Sequence, residues 1–374
     1  MESVIKVKIA KKIAEIPPQD WYSAYPDTLE NYYFFKTLDE SNLSQFSFFY
    51  IVIYINDTPA GATNCFIMDF PLDIAITGWP KRAVDFIKKF FPGVFSPRIM
   101  ICGLPMGQGR IGIAAAEPGL IVEAINKAME EIASHEKAQI IAFKDFDSGY
   151  HKILDQYLDS SFLRIDSFPS TDMDINFSSF EEYLMTLSSV SRSGLKRKFK
   201  KIDGKVKIDL EIRRQLDDGE LNQAYALYLE TSDRQEMGLE KLSRDFFKNI
   251  SKNMPAETIF FLWKMDNKML AFAFCLVRGG YFIDYYLGFD YSVAHQYHLY
   301  SVRFRDIINW CIENKITKYE MGATAYEVKR RLGFNLIPLC IYVKHRNKFL
   351  NPIFKILCRM VQPTNFHPVF KELK

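Results

Sequence analysis

Three apolar segments in the second half of the chain constrain its fold more than any other feature of the sequence. Thr258 to Lys264 and Met269 to Arg278 are rich in aromatic and β-branched residues, and Asp266-Asn267-Lys268 lies between them. A third such segment, Tyr281 to Phe289, follows Gly279-Gly280. Short apolar runs bounded by turn residues are typical of strands joined by tight turns. The segments therefore predict a three-stranded antiparallel meander.

A regular order of elements follows this meander. Tyr300 to Asn314 carries apolar residues at helical spacing, which predicts an amphipathic helix lying on a sheet. The apolar stripe of this helix consists of Tyr300, Phe304, Ile307, Ile308 and Cys311. Lys318 to Gly322 predicts a short strand, and Thr324 to Glu327 fits a capping box that opens another helix. Leu336 to Lys344 predicts a further strand, so this half predicts a sheet flanked by helices.

The first half of the chain shows a similar order. Phe46 to Ile55 and Pro59 to Met68 flank Asn56-Asp57-Thr58 and predict two strands joined by a turn. Gly119 to Glu136 predicts a helix, and Gln139 to Phe143 then predicts a buried strand. The two halves thus predict related architectures, each with antiparallel strands, a helix, a strand and a helix.

Length and composition predict two globular domains of the α/β (α+β) class. The chain has 374 residues, whereas a single core stops growing at roughly 250 to 300 residues. Hydrophobic residues make up 48% of the chain, which is enough to build two buried cores. We place the domain boundary at Phe177, which gives domains of residues 1–177 and 178–374.

Two motifs resemble those of one protein family. The segment Met321 to Phe334, MGATAYEVKRRLGF, resembles the closing signature of the FemAB-like acyltransferases. The positions that match this signature are Gly322, Tyr326, Lys329, Gly333 and Phe334. The segment Phe177 to Ile202 is similar to the helix that joins the two halves of those proteins. The resemblance implies two tandem GNAT-like domains, each a mixed, mostly antiparallel sheet flanked by helices.

The resemblance also implies an N-acyltransferase. It would move an acyl group from a thioester, acyl-CoA or acyl carrier protein, to a small-molecule amine. Aminoacyl transfer from charged tRNA and non-catalytic binding of a polyanion or envelope precursor are the alternatives. GNAT enzymes carry an Arg/Gln-x-x-Gly-x-Gly/Ala loop before the helix that corresponds to Tyr300 to Asn314, but the connection Tyr291 to His298 has no glycine. We expect the thioester to act as a donor substrate, with no tightly bound cofactor and no metal.

Candidate catalytic residues lie on the third strand of the meander. Aminolysis of a thioester or an ester needs a group that accepts the proton of the amine and a donor for the leaving group. Strand alternation places Asp284, Tyr286 and Gly288 on one face, so Asp284 can accept the proton and Tyr286 can protonate the leaving group. Glu320 on the neighbouring strand is a second candidate base. The alternative is that Asp284 lies on a solvated face and Tyr286 packs in a core.

Basic residues supply candidates for binding the phosphates of a donor. Lys329 lies in the matched signature with Gly322 and Tyr326, and the resemblance favours all three as donor contacts. Arg192 to Lys207 contains eight Lys and Arg residues against one acid, and Arg197 is our candidate contact within it. Such a stretch can bind tRNA, the phosphates of a carrier or an anionic membrane. A charged helix face that is merely solvated is the alternative.

The loop Gly107-Gln108-Gly109-Arg110-Ile111-Gly112 matches the GxGxxG pattern after a predicted strand. A dinucleotide site requires this loop to open the next helix, whereas Pro118-Gly119 interrupts here. We therefore expect a flexible loop lining a cleft and disfavour nicotinamide or flavin binding.

The end of the chain carries a second amphipathic segment, Phe349 to Val361, with Leu350, Ile353, Phe354 and Leu357 near one face. Peripheral membrane contact and docking on the first domain are both possible, and docking is favoured. The sequence lacks an apolar run of roughly 20 residues and a continuous apolar leader, and its six cysteines are widely spaced. We therefore predict a cytoplasmic protein with reduced thiols.

Overall fold

The computed structural model describes residues 4–70, 96–114, 117–234, 240–365 and 370. The strands within this part of the chain are β1 (Ile5–Ala10), β2 (Ser47–Ile55), β3 (Thr58–Asp69), β4 (Arg98–Cys102), β5 (Ile111–Ile113), β6 (Ile140–Phe146), β7 (Leu163–Asp166), β8 (Ser170–Asp174), β9 (Asp209–Arg213), β10 (Thr258–Met265), β11 (Lys268–Arg278), β12 (Tyr281–Phe289), β13 (Lys318–Met321), β14 (Asn335–Ile337) and β15 (Cys340–His345).

The α-helices lie between groups of these strands or follow the last one. In the described residues they are α1 (Pro18–Ala24), α2 (Tyr32–Glu40), α3 (Pro118–His135), α4 (His151–Tyr157), α5 (Phe180–Thr186), α6 (Ser189–Ile202), α7 (Asp218–Ser232), α8 (Arg244–Asn253), α9 (Leu299–Glu313), α10 (Tyr326–Arg331) and α11 (Asn351–Val361). None of the described helices combines the length and the apolar character needed to cross a membrane.

The chain divides into two compact units. Unit 1 consists of Met1–Phe168 together with Pro338–Lys374, and unit 2 is Pro169–Ile337. This division corrects the predicted boundary at Phe177 and the assignment of residues 178–374 to a single domain. The predicted boundary followed chain order, whereas the last strand β15 pairs with β6 and β7 of the first half.

The sheet of unit 1 has the order β1-β2-β3-β4-β6-β15-β7, and β5 pairs with β3. Its first four strands, β1 to β4, pair with one another in antiparallel fashion. The next pair, β4 and β6, is parallel, and the connection between these two strands contains α3. Strand β15 then pairs antiparallel with both β6 and β7.

The sheet of unit 2 repeats this arrangement with the order β9-β10-β11-β12-β13-β8-β14. Strands β9 to β12 are antiparallel, β12 and β13 are parallel, and β8 is antiparallel to β13 and β14. Each sheet therefore takes its sixth strand, β15 or β8, from the other half of the sequence. The predicted fold class of two mixed, mostly antiparallel sheets flanked by helices is confirmed.

Helix α9 covers one face of the unit 2 sheet. The predicted apolar stripe is confirmed at Phe304, Ile307, Ile308 and Cys311, which are fully buried. These side chains join a core with Phe282 and Tyr319 of the sheet. Burial of one such side chain stabilises the fold by about 1.5–3 kcal/mol. On the other face, the α8 residues Phe246 and Phe247 pack edge-on against Phe274, so the sheet is covered on both sides.

Candidate functional site

The parallel strands of unit 2 separate at one end. Strands β12 and β13 pair over four residues, from Tyr281↔Lys318 to Asp284↔Met321. Strand β13 ends at Met321, whereas β12 continues to Phe289 with β11 as its partner. The two strands therefore leave an opening, bounded by Tyr285 to Phe289 on one side and by the turn after Met321 on the other.

A β-bulge lies at the mouth of this opening. Phe274 of β11 pairs with Tyr286, but the next residue, Cys275, pairs with Asp284, so Tyr285 is an extra residue. The bulge reverses the alternation of β12 at this point. Asp284 contacts residues of α9, whereas Tyr286 packs against Tyr228 of α7. The prediction that Asp284 and Tyr286 share one face is therefore wrong.

Asp284 is the centre of a buried polar cluster. Its carboxylate forms an ion pair with Arg303 of α9 and accepts a hydrogen bond of 2.8 Å from the hydroxyl of Tyr319. The side chains of Asp284 and Arg303 are 1% and 0% exposed. The predicted alternative of a solvated sheet face is therefore wrong. Asp284 is therefore committed to an ion pair with a buried guanidinium.

Part of the Arg303 guanidinium forms no hydrogen bond with its described neighbours. Within the described residues, its Nε and Nη1 atoms have no hydrogen-bond partner, and neither does the hydroxyl of Tyr300. Burial lowers the pKa of Arg303, but the carboxylate of Asp284 outweighs this effect, and the pKa is raised overall. The guanidinium carbon lies 5.8 Å from the centre of the Tyr300 ring, close enough for a cation–π interaction. Arg303 is thus a permanent buried cation.

Glu320 lies on the opposite face of the sheet from this cluster. It follows Tyr319 on β13, so its side chain points away from α9. Its carboxylate accepts a hydrogen bond of 2.7 Å from Ser170 of β8 and another from the hydroxyl of Tyr281. Glu320 is 7% exposed and lies one residue before β13 ends. The structure thus places it next to the opening.

Tyr286 is held by neighbours on the α7 face. Its hydroxyl donates a hydrogen bond of 2.8 Å to Glu240, and its ring lies edge-on to Tyr228 at 5.6 Å. Burial, followed by the charge of Glu240, raises the pKa of Tyr286 well above its ordinary value. Tyr286 therefore stays protonated, and its hydroxyl donates to Glu240. This arrangement agrees with the alternative given above, in which Tyr286 packs in a core.

Lys329 holds the turn on the other side of the opening. Its ammonium donates hydrogen bonds to the carbonyl of Gly322 and, at 3.4 Å, to that of Ala323. The residue is 4% exposed, and burial lowers its pKa to about 8. The turn contains Thr324 and Ala325 in the left-handed region, at φ 83° and 50°. Lys329 thus supports a strained backbone segment next to the place where the strands separate.

Two further matched residues, Tyr326 and Gly322, have different environments. The hydroxyl of Tyr326 donates a hydrogen bond of 2.9 Å to the carbonyl of Pro169, so it ties α10 to the start of β8. Gly322 faces open space, because a Cβ built on it would have no heavy atom within 4 Å. Tyr326 therefore has a structural contact, whereas Gly322 leaves room at the opening.

The basic stretch forms one side of α6. Leu195, Phe199 and Ile202 are buried, whereas Arg197 is exposed, as expected for an amphipathic helix. Lys198 donates a hydrogen bond of 3.2 Å to Ser301 in the first turn of α9. Positive charge therefore lies beside the N-terminus of α9, where GNAT enzymes carry their glycine-rich loop.

His298 is the residue before α9 and adopts the left-handed conformation, at φ 48°. Burial and the nearby ammonium groups of Lys201 and Lys198 lower its pKa. A neutral imidazole is thus favoured next to two cations. The N-terminus of α9 adds the partial positive charge of its peptide dipoles.

An open groove of about 440 Å³ lies between the start of α6 and α10. It is lined by Thr186, Leu187, Ser188, Ser191, Glu327, Arg330, Arg331 and Gly333. The groove is formed by the two segments that carry the sequence resemblance. Its charged lining consists of Arg330, Arg331 and Glu327, and Arg331 pairs with Glu327 at 3.9 Å.

The glycines of the GxGxxG loop serve packing in unit 1. A Cβ on Gly112 would overlap the backbone carbonyl of Ala24, and one on Gly109 would overlap that of Lys144. The residues after the loop form strand β5, which pairs with β3, so no helix opens there. The prediction of a flexible loop lining a cleft is wrong, because close backbone contacts require these glycines.

Sequence reasoning missed Arg303, Tyr319, Ser170 and Tyr281 as members of the site. One signal for Arg303 was available. It stands three residues after Tyr300 and directly before Phe304, within the apolar stripe of α9. A cation at such a position predicts a buried partner, because an unpaired buried charge is very costly.

Two sequence comparisons relate this chain to known proteins. The model of the FemAB-like family, described as peptidoglycan biosynthesis/recognition, matches residues 102–355. A putative 8-amino-7-oxononanoate synthase 2, found in two strains of Mycobacterium tuberculosis, is 22% identical over 329 residues. The match covers 84% of this chain, and the chain spans less than half, 42%, of the length of that relative.

Three solved structures share the fold. FemX has a TM-score of 0.59 and 13% identity, over 95% of this chain and 100% of FemX. L-PGS from Bacillus licheniformis has a TM-score of 0.54 and 12% identity, over 91% and 98% of the two chains. A tandem GNAT protein from the clavulanic acid biosynthesis pathway has a TM-score of 0.53 and 7% identity, also over 91% and 98%.

Proposed function

This chain belongs to the FemAB-like family, and we propose that it transfers an acyl or aminoacyl group from an activated carbonyl donor to an amine in envelope synthesis. Family membership and the GNAT fold support a transferase. One observation carries the proposal, namely that β12 and β13 separate where Glu320 and the turn held by Lys329 lie. An acid and a base at one opening are what aminolysis needs.

In the proposed reaction, the amine nitrogen attacks the carbonyl carbon of the donor. A C–N bond forms, the bond from that carbon to sulfur or oxygen breaks, and the proton of the amine ends on the leaving group. We assign the proton acceptor to Glu320, because it lies beside the opening and Ser170 and Tyr281 hold its carboxylate in place. Asp284 is reassigned as a positioning residue, since Arg303 and Tyr319 enclose it.

Lys329 is the proposed electrostatic partner of the reacting carbonyl. A cation in a water-poor site stabilises the negative charge that develops on the carbonyl oxygen. Because burial lowers its pKa to about 8, the ammonium can also give a proton to the leaving group near neutral pH. Gly322, which faces open space, leaves room for the donor at this point.

We propose two classes of donor for this site: a thioester of coenzyme A or acyl carrier protein, and a charged tRNA. Charged tRNA is the second candidate donor. It is favoured by the basic side of α6, which lies beside the first turn of α9, while the connection before α9 contains no glycine. Each phosphate contact made by a Lys or Arg releases counterions, so binding of tRNA would weaken steeply with salt.

The first experiment compares donors by thermal unfolding. A ligand at about 100 times its dissociation constant adds roughly 2.7 kcal/mol to the stability. Acetyl-CoA, long-chain acyl-CoA, acyl carrier protein and aminoacyl-tRNA are tested separately, and the stabilising donor is then assayed with labelled acyl group and a panel of amines. Stabilisation without any label transfer to an amine would overturn the enzymatic proposal and support a binding protein.

A variant series separates the tRNA and thioester donors. The triple variant Arg197→Ala, Lys200→Ala, Lys201→Ala should abolish the salt-dependent binding of tRNA if α6 contacts it. The matched triple variant Lys6→Ala, Lys8→Ala, Lys12→Ala removes the same charge from unit 1 and should leave binding unchanged. Equal loss in both variants would show that only net charge matters, which would contradict an α6 site.

A further inference from the structure

Helix α11 presents its apolar residues to solvent. Ile353, Ile356, Leu357 and Met360 are all more than half exposed, and Phe349 just before the helix is 77% exposed. At 100° per residue, Ile353, Ile356 and Met360 fall on one side of the helix. A contiguous exposed apolar surface of this kind marks an interaction site.

The opposite side of α11 fixes the helix to unit 1. Asn351 is buried, accepts a hydrogen bond of 2.9 Å from the backbone of His345 and donates one of 2.8 Å to the carbonyl of Ser161. Lys355 donates a hydrogen bond of 2.7 Å to the carbonyl of Ser160. The favoured sequence prediction, docking on the first domain, thus holds for the polar side of the helix and leaves its apolar side uncovered within the described residues.

The charged residues of this segment are all basic. From Arg346 to Gln362 the sequence contains four Lys and Arg residues and no Asp or Glu. Arg359 follows one edge of the apolar surface and Lys348 precedes it, whereas Lys355 belongs to the side that contacts unit 1. A helix with an apolar side bordered by Lys and Arg is typical of segments that lie in the interface of an anionic membrane.

We propose that α11 docks unit 1 on an anionic lipid surface, with its apolar side in the interface and its basic edge on the lipid phosphates. The charge pattern disfavours a second copy of the chain as the occupant. In a two-fold pair of these helices, the basic edges would face each other without a compensating acid. The proposal is independent of the transfer reaction.

Sedimentation of the full chain with lipid vesicles tests the proposal. One vesicle contains phosphatidylcholine alone, and the other also contains phosphatidylglycerol. The double variant Ile353→Glu, Met360→Glu and the charge variant Lys348→Glu, Arg359→Glu should each reduce binding to the anionic vesicle at least about tenfold. The matched control Met185→Glu, Val190→Glu changes two exposed apolar residues of unit 2 and should bind like the wild type.

The outcomes separate the possible occupants. Binding to the anionic vesicle alone, lost in both α11 variants and kept in the control, supports the proposal. Equal binding to both vesicles, or unchanged binding in the α11 variants, overturns it. Absence of vesicle binding also overturns it. In that case, a dimer seen by sedimentation equilibrium and abolished by Ile353→Glu, Met360→Glu would assign the surface to a second copy. Unchanged melting temperatures verify that the variants are folded.

Discussion

The two units have the same order of strands but differ where their parallel strands meet. The last two residue pairs of the β4 and β6 ladder in unit 1 are Ile101↔Ala142 and Cys102↔Phe143. The corresponding pairs of β12 and β13 in unit 2 are Ile283↔Glu320 and Asp284↔Met321. One sheet is apolar at this place, and the other carries two carboxylates.

This difference supports unit 2 as the unit that carries the proposed reaction. A buried carboxylate costs free energy unless it is paired, so a sheet that only needs stability is better filled with apolar residues. Unit 1 follows this rule, since Cys102 and Phe143 are buried in its core. Unit 2 keeps Asp284 and Glu320 buried with hydrogen-bond partners. We infer that the reaction takes place in unit 2.

The largest expected effect is on the buried ion pair. Arg303→Met would leave Asp284 buried without its cation and should lower the free energy of unfolding by about 3–5 kcal/mol, measured by urea denaturation. The double variant Arg303→Met, Asp284→Leu should recover most of this loss, because no lone charge remains. A loss below about 1 kcal/mol in the single variant would show that the pair does not stabilise unit 2.

The pH dependence of stability should differ between the units. Burial lowers the pKa of Lys329 to about 8, so the unfolded state binds more protons between pH 8 and 10.5, and the free energy of unfolding should rise there by about 3 kcal/mol. Burial raises the pKa of Asp39 in unit 1 to about 6, so the folded state binds more protons between pH 3.8 and 6. Stability should therefore fall as pH rises through this lower window.

Two variants test which residue causes each pH-dependent change in stability. The free energy of unfolding is measured by urea titration at a series of pH values. Lys329→Met should abolish its rise above pH 8 and leave its fall between pH 3.8 and 6 unchanged. Asp39→Asn should abolish that fall and leave the rise above pH 8 unchanged. Lys344→Met serves as a control because Lys344 is also a buried lysine, but it lies in unit 1 and pairs with Glu130. If Lys329→Met kept the full slope above pH 8, our assignment of that slope would be incorrect.

Catalysis should depend on unit 2 alone. Glu320→Gln keeps the size of the side chain and removes the base, so kcat should fall about 100-fold with KM little changed, once the donor is known. Ala142 occupies the corresponding position of the unit 1 ladder, and Ala142→Ser should leave kcat unchanged. A similar loss in both variants would remove the functional distinction between the units.

The smallest expected effects concern glycines. Gly112→Ala in unit 1 would push a Cβ into the carbonyl of Ala24 and should cost about 2 kcal/mol in thermal unfolding. Gly322→Ala in unit 2 meets no atom within 4 Å, so its stability should stay within about 0.5 kcal/mol. Only Gly322→Ala should raise the KM for the donor, because that glycine faces the opening.

The meander and the helix on it could be predicted because their signals are local. Strands β10, β11 and β12 lie where the apolar runs predicted them, and the stripe of α9 is buried. The family resemblance carried by Met321 to Phe334 is likewise confirmed by the family match. Turn residues and apolar periodicity act over a few positions, so a single sequence contains them.

The candidate site was only partly predictable. The sequence singled out Asp284, Glu320 and Lys329, and in the structure Glu320 and the turn held by Lys329 lie where β12 and β13 separate. The bulge at Tyr285 was not predicted, and it reversed the face on which Tyr286 lies. A bulge depends on the register between two strands, which no local pattern in β12 reveals.

The sequence by itself determined the class of the fold, the strands of each meander and the amphipathic character of α9 and α11, because these follow from the spacing of apolar residues. Only the tertiary structure decided that β8 and β15 pair with the other half of the chain, that Arg303 neutralises Asp284, and that α11 exposes its apolar side. Such features depend on contacts between residues far apart in the chain. These contacts stabilise the protein only when the distant segments pack together.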